Sequence, residues 1–288
     1  MNLDNIINEI EKVDPEVYER FDTRRKVMKQ FANIGSKIAM AAVPVALASM
    51  FQKAYGQTPD EVNGVLNYAL TLEYLEAEFY TNIVGSPGYL TAPAAAQGAL
   101  TNIRNDENKH VAFLKSVLGS AAVAKPTFDF SGGNGSGTGP FAGYLANYDV
   151  QLAMAQTFED TGVRAYKGQA ANVKSNRVAL TSALRIHSVE ARHAAHIRQM
   201  RYARNMLIPG GQVVRPWITL AQSGIDTGNS GVNAAIQMSY AGEDVTTQAT
   251  VNIVGLGGAF NDAANASAGF DEPLTKEQVL AIVDGFIV

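Results

Sequence analysis

Apolar residues recur at steps of three and four along four stretches of the chain, and each stripe is broken near its centre by a glutamate. The first stripe is Leu66, Leu70, Glu73, Ala77, Tyr80 and Val84. The second is Leu100, Ile103, Glu107, His110, Leu114 and Val117. The third is Leu152, Ala155, Glu159, Val163, Tyr166 and Ala170, and the fourth is Ala183, Ile186, Glu190, His193, Ile197 and Met200. Such spacing marks the core-facing side of bundle helices. Local signals set their ends. Thr58-Pro59-Asp60-Glu61 opens the first helix with a cap, a proline at the first helical position and a capping-box glutamate. That helix should end at Val84, before the Gly85–Gly88 turn. The second is expected over Ala94–Leu118, the third over Phe141–Val173, and the fourth from a Ser175 cap to about Leu207.

The links between these helices predict their arrangement. The first and second helices, and the third and fourth, are joined by short connections, so each pair should form an antiparallel hairpin. Between the second and third lie more than twenty residues, including the Gly-rich stretch Phe128–Phe141, which cannot be helical. At up to ~3.3 Å per residue, that connection can run the full length of a bundle about 40 Å long. An all-α four-helix bundle of two hairpins and a long crossover is therefore expected.

Beyond Trp217 the chain turns rich in Gly, Asn and Ala. Thr250–Phe260 is ambiguous between a helical segment and a buried loop, and Thr275-Lys276-Glu277-Gln278 opens a short final helix over Lys276–Asp284 with a second capping box. The apolar end of the chain suggests a tail wrapped over the bundle or onto a partner subunit. The expected division is a leader over residues 1–56, the bundle over 57–208, and a C-terminal extension over 209–288.

The chain holds only four His, and two of them follow a Glu by three residues in the middle of an apolar stripe: Glu107 with His110, and Glu190 with His193. The partner helices each carry a lone Glu with a Tyr seven residues on, Glu73 with Tyr80 and Glu159 with Tyr166. Glu107 lies 34 residues after Glu73 and Glu190 lies 31 after Glu159, so the two hairpins repeat one pattern. Burying one ionised carboxylate in an apolar core costs several kcal/mol. Four converging carboxylates need positive charge among them, and two divalent cations would balance them, with two neutral imidazoles completing the donor set. The competing reading places the Glu residues on the surface, paired with Arg104, Lys109 or Arg192. Glu76, one turn beyond Glu73, is an alternative ligand from the first helix. Tyr80 and Tyr166 are either donors to a carboxylate or plain core aromatics. His187 and His196 either orient a ligand or face solvent. Asp160 should face away to solvent, and Gln156 and Arg164 are assigned no role.

Composition narrows the chemistry. A 47% hydrophobic, 17% charged chain with net charge −4 is ordinary for a globular protein and wrong in sign for nucleic acid. Cys is absent, so a metal must take oxygen and nitrogen ligands. By ligand hardness the site suits two Fe or Mn ions rather than zinc. Paired ions of that kind would act on O2 or peroxide.

Near the N-terminus, Thr23–Lys29 reads TRRKVMK, followed by the apolar Ile38–Phe51 and by small residues Ala54 and Gly56 before Gln57. This order predicts a twin-arginine export signal cleaved before Gln57, a periplasmic or extracellular protein, and no stable membrane span after cleavage. The acidic segment before the arginine pair has no explanation.

Glu73, Glu107-x-x-His110, Glu159 and Glu190-x-x-His193 together resemble the six-ligand pattern of the ferritin-like di-iron and di-manganese carboxylate proteins. Asn67–Tyr80 and Phe270–Val283 further resemble the exported, desiccation-related branch of that superfamily. The resemblance implies a ferritin-like bundle in which Glu107 and Glu190 bridge two metals. Glu73 with His110, and Glu159 with His193, would be the terminal ligands. It implies ferroxidase-like or peroxide-removing chemistry and allows a homodimer. The alternative is a structural or protective envelope protein in which metal serves stability or is absent.

Overall fold

The computed structural model describes residues 59–288 apart from 205–206, 209–211 and 259. The leader, the twin-arginine run and the Thr58 cap lie outside the described residues. The described helices are α1 (Pro59–Ile83), α2 (Pro87–Leu90), α3 (Ala94–Leu118), α4 (Tyr148–Gln169) and α5 (Arg177–Ala203). After them come the strand pair β1 (Leu207–Ile208) and β2 (Gln212–Val213), then α6 (Ser230–Gln237), β3 (Thr247–Gln248), β4 (Val251–Asn252), α7 (Ala263–Ser267) and α8 (Lys276–Val283). Both strand pairs are antiparallel. No described helix is long and apolar enough to cross a membrane.

The architecture is all-α: α1 packs along α3 and α4 along α5, giving the two hairpins expected from the link lengths. Pro59 stands at the first position of α1, with Asp60 and Glu61 in the first turn, where acidic groups favour the helix dipole. Helix α3 ends at Gly119, which takes φ 55°. Helix α4 begins at Tyr148, later than the expected start at Phe141. Gly143, at φ 82°, breaks the backbone, Tyr144–Ala146 form a 3₁₀ turn, and the Asn147 side chain accepts from the Asp149 and Val150 amides. Another 3₁₀ turn, Ala170–Asn172, takes over at its C-terminal end. The cap of α5 is Asn176, not Ser175; its side chain accepts from the amides of Val178 and Ala179, and the helix stops at Ala203. Val117, assigned to the second stripe, is exposed, and Leu118 is buried in its place. The short helix α2, capped by Ser86, and helix α6, capped by Asn229, were not foreseen.

The crossover between α3 and α4 pairs with the end of the chain. Phe128 bridges Ile287, the Asp129 amide donates to Phe286 O at 2.8 Å, and the Val288 amide to Thr127 O at 3.0 Å. Phe79, Phe130, Phe141, Phe158 and Phe286 join these segments in one aromatic cluster.

The extension is not an independent layer. Its segments on either side of residues 246–266 cover α4, which is buried without a break from Gln151 to Tyr166. The Leu274 amide donates to Arg164 O at 3.1 Å, and a Cβ added to Gly168 would sit 2.0 Å from Leu274 O, so only glycine admits the tail there. Thr275 and Gln278 form the expected capping box of α8. Residues 246–266 belong to a separate compact unit. Within it, Thr250–Phe260 is neither a helix nor a plain loop: β3 and β4 pair across Ala249 and Thr250, both with positive φ, and turns follow.

Candidate metal centre

Each hairpin delivers a Glu-x-x-His from one helix and a single Glu from the other. Three residues on a helix turn through about 300°, so a Glu and a His at that offset share a face. Glu107 and His110 of α3, and Glu190 and His193 of α5, therefore point into the bundle with their apolar stripes. Glu73 of α1 and Glu159 of α4 face them. All six side chains are buried, the four glutamates fully so.

Their atoms fall into two groups of donors, each with all members within 4.8 Å of one another. One is Glu73, Glu107, His110 and Glu190; the other is Glu107, Glu159, Glu190 and His193. Glu107 and Glu190 belong to both. His110 Nδ1 lies 2.9 Å from Glu107 Oε2, 3.1 Å from Glu73 Oε2 and 3.2 Å from Glu190 Oε1. His193 Nδ1 lies 2.8 Å from Glu107 Oε1 and 3.3 Å from Glu159 Oε2. Glu107 thus turns one oxygen to each imidazole.

His110 Nδ1 is hydrogen-bonded to Glu73 Oε2 and Glu107 Oε2, but the rest of the cluster is not satisfied in this way. Glu107 Oε1, Glu159 Oε2, both oxygens of Glu190 and His193 Nδ1 are buried yet have no aligned hydrogen-bond partner. They belong to residues of the two donor groups. Buried polar atoms left so are costly and call for an explanation, and metal ions, which these groups could hold, would supply one. Lys and Arg do not supply it. Arg104 bonds Asn105 and Lys109 bonds Asp106, both at the surface, and Arg192 is exposed. The donor set of carboxylate oxygens and imidazole nitrogens fits a hard or borderline divalent ion.

The tyrosines cross between hairpins. Tyr80 of α1 donates to Glu159 Oε1 of α4 at 2.5 Å, and Tyr166 of α4 donates to Glu73 Oε1 of α1. Each thereby occupies one oxygen of a lone glutamate and leaves the other, Oε2, facing an imidazole. Burial first, and then the glutamates, raise the pKa of both phenols, so they remain protonated donors.

Glu76 belongs to neither donor group. It is buried beside Glu190, and both carboxylates lie over Gly162 of α4, where an added Cβ would come within 3.0 Å of Glu190 Oε2 and 3.2 Å of Glu76 Oε1. Burial, followed by the charges of Glu190, Glu159, Glu107 and Glu73, pushes the Glu76 carboxyl well above its ordinary pKa. Glu190 is raised likewise by burial and by Glu107, Glu159 and Glu73. Burial opposes charge on the imidazoles, but the carboxylates outweigh it: His110 is raised, and His193 is raised to about 11.

His187 and His196 take no part. His187 Nδ1 lies 3.0 Å from Val163 O, and His196 is exposed. The histidine side chains at the centre keep 11% (His110) and 9% (His193) exposure, against 0% for the four glutamates, so solvent approaches from the α3–α5 side.

A second buried polar cluster escaped the sequence reading. Asp160 does not face solvent: it is 2% exposed, forms a two-pronged ion pair with Arg198 of α5 and accepts from Tyr240 Oη at 2.6 Å. Gln156 donates to Tyr240 Oη and Ser223 O and accepts from Arg201, which also reaches Gly224 O. Arg164 contacts Glu243 at 2.7 Å and donates to the carbonyls of Ser239, Ala241 and Glu272. The i, i+4 spacing of Gln156, Asp160 and Arg164 gives a polar face that reads as solvated. The extension covers it. Two of the three buried arginines, Arg164 and Arg201, bond backbone carbonyls, but those carbonyls come from loops with no periodicity that the sequence could reveal.

Comparison with curated proteins gave no match. Residues 61–203 match the family model described as "Ferritin-like domain". The match spans α1 to α5 and takes in all six converging side chains. With two helical hairpins, a long crossover and buried Glu and His groups able to hold metal, residues 61–203 are a ferritin-like domain.

Proposed function

We propose that the bundle holds two Fe or Mn ions and that the protein is an exported redox enzyme of ferroxidase-like or peroxide-removing type. The observation that carries this reading is the division of six buried side chains into two donor groups that share Glu107 and Glu190. Glu73 with His110 would complete one position, and Glu159 with His193 the other. Such a pair of ions would supply two-electron redox chemistry toward O2 or peroxide.

The chain's own groups have definable tasks in that reading. Tyr80 and Tyr166 hold Glu159 and Glu73 by one oxygen each and keep the remaining oxygen aimed inward. Glu107 and Glu190 span both positions. Glu76, buried beside Glu190 over Gly162, is a carboxyl group within reach of the centre and outside both donor groups, and so a candidate for moving a proton there. The imidazoles lie on the wetter side and give ions an entrance. Export by the twin-arginine route, which carries folded and loaded proteins, agrees with a site assembled before translocation. A homodimer is compatible with this reading.

The test is metal analysis of protein purified from its native compartment, followed by ferrous-oxidation and peroxide-consumption assays. Two Fe or Mn per chain with turnover is the expected result. Stoichiometric metal without turnover would favour the structural or protective role, and protein purified without metal that fails to take it up would refute the site.

A further inference from the structure

A cavity of about 20 Å³ lies between the helices, one layer toward the bundle end from the glutamates. Its wall includes Leu66 and Ala69 of α1, Leu114 of α3, Ala165 and Tyr166 of α4, and Val173 beyond α4, and the surface it presents is apolar. Leu66 is seven residues before Glu73, and Leu114 is four after His110, so the cavity occupies the next turns of the same stripes. Tyr166 connects the two places: it lines the cavity and its hydroxyl donates to Glu73 Oε1.

We infer that this cavity admits dioxygen, and not peroxide, to the metal centre. The inference rests on the redox reading proposed above and assigns its two oxidants different approaches. The pocket is partly open, which gives a small molecule a way in, and an apolar lining favours apolar guests such as xenon. Dioxygen has no hydrogen bonds to lose on entering. Peroxide, which donates and accepts at both ends, would be stripped of partners there. Polar species have another approach, on the α3–α5 side, where His110 and His193 keep the site's residual exposure. The structure therefore separates an apolar approach past Tyr166 from a polar one past the imidazoles.

The experiment uses the full chain and xenon as probe. Xenon NMR on metal-free protein should show saturable binding, abolished by Ala69→Leu, which fills the cavity; Ala183→Leu, at a less buried wall position, serves if the first variant folds poorly. In metal-loaded protein the same variants should raise KM for dioxygen about tenfold with kcat and metal content little changed, and leave the response to peroxide as in wild type. Absence of xenon binding in wild type overturns the inference, whatever the metal chemistry. Xenon binding with an unaltered KM for dioxygen in the filled variants overturns the route alone. Xenon binding with peroxide turnover but no dioxygen consumption by metal-loaded wild type overturns the route alone, whereas turnover of neither oxidant overturns the redox reading and takes the route with it.

Discussion

Glu107 and Glu190 differ from the other glutamates in belonging to both donor groups, and this difference is testable by single substitutions. Glu107→Gln or Glu190→Gln should lose metal from both positions, because each removes a charge common to the two. Glu73→Gln or Glu159→Gln should lose it mainly from one, and elemental analysis of the purified variants reads the difference. The six residues could be picked out of the sequence because the core stripe is a strict consequence of helix geometry, and because the pattern occurs twice. Asp160 could not. Its period places it off the stripe, and only the tail's Tyr240 and the α5 residue Arg198 make it an interior group. Removing one member of a buried ion pair strands the other, so Asp160→Ala should destabilise the fold by about 3–5 kcal/mol, measured by denaturant unfolding. A loss below about 1 kcal/mol would mean the site is wetter than described.

Helix α4 is the element whose surroundings the sequence reading most misjudged. Its stripe placed Glu159 and Tyr166 correctly toward the other helices, but its opposite face is sealed by the extension and not by water. Gly168 marks that contact. Gly168→Ala drives a methyl group into Leu274 O and should cost about 1–3 kcal/mol through displaced tail packing, visible as a lowered Tm. Glu243 provides a pH-dependent handle on the same contact. Burial raises its carboxyl to about 7, against the opposing pull of Arg164. A folded-state pKa above the unfolded value means that the folded state binds the proton more tightly. The contribution is fully present below the ordinary carboxylate range and is lost as pH rises to about 7. Wild-type protein should therefore lose Tm between pH 5 and 7 relative to Glu243→Gln, and a constant difference between the two over that window would contradict this assignment. The helix ends were legible to within a few residues where Pro or Gly punctuated them, at Pro59 and Gly119. They were missed where a 3₁₀ turn and an Asn cap competed with an uninterrupted apolar period, as before Tyr148.

For the molecule as a whole, the pairing of hairpins followed from link lengths, and the bundle from four stripes. The extension's course did not, since its contacts are backbone carbonyls and single side chains with no repeat. The account of the whole rests on cations occupying the convergence points of four buried carboxylates and two imidazoles. The most direct measurement is a crystal structure of the metal-loaded protein with anomalous scattering recorded at the Fe or Mn edge. The prediction is two peaks within the bundle, both flanked by Glu107 and Glu190, one beside His110 and the other beside His193. No anomalous peak among these side chains, or metal bound only at the protein surface, would contradict it.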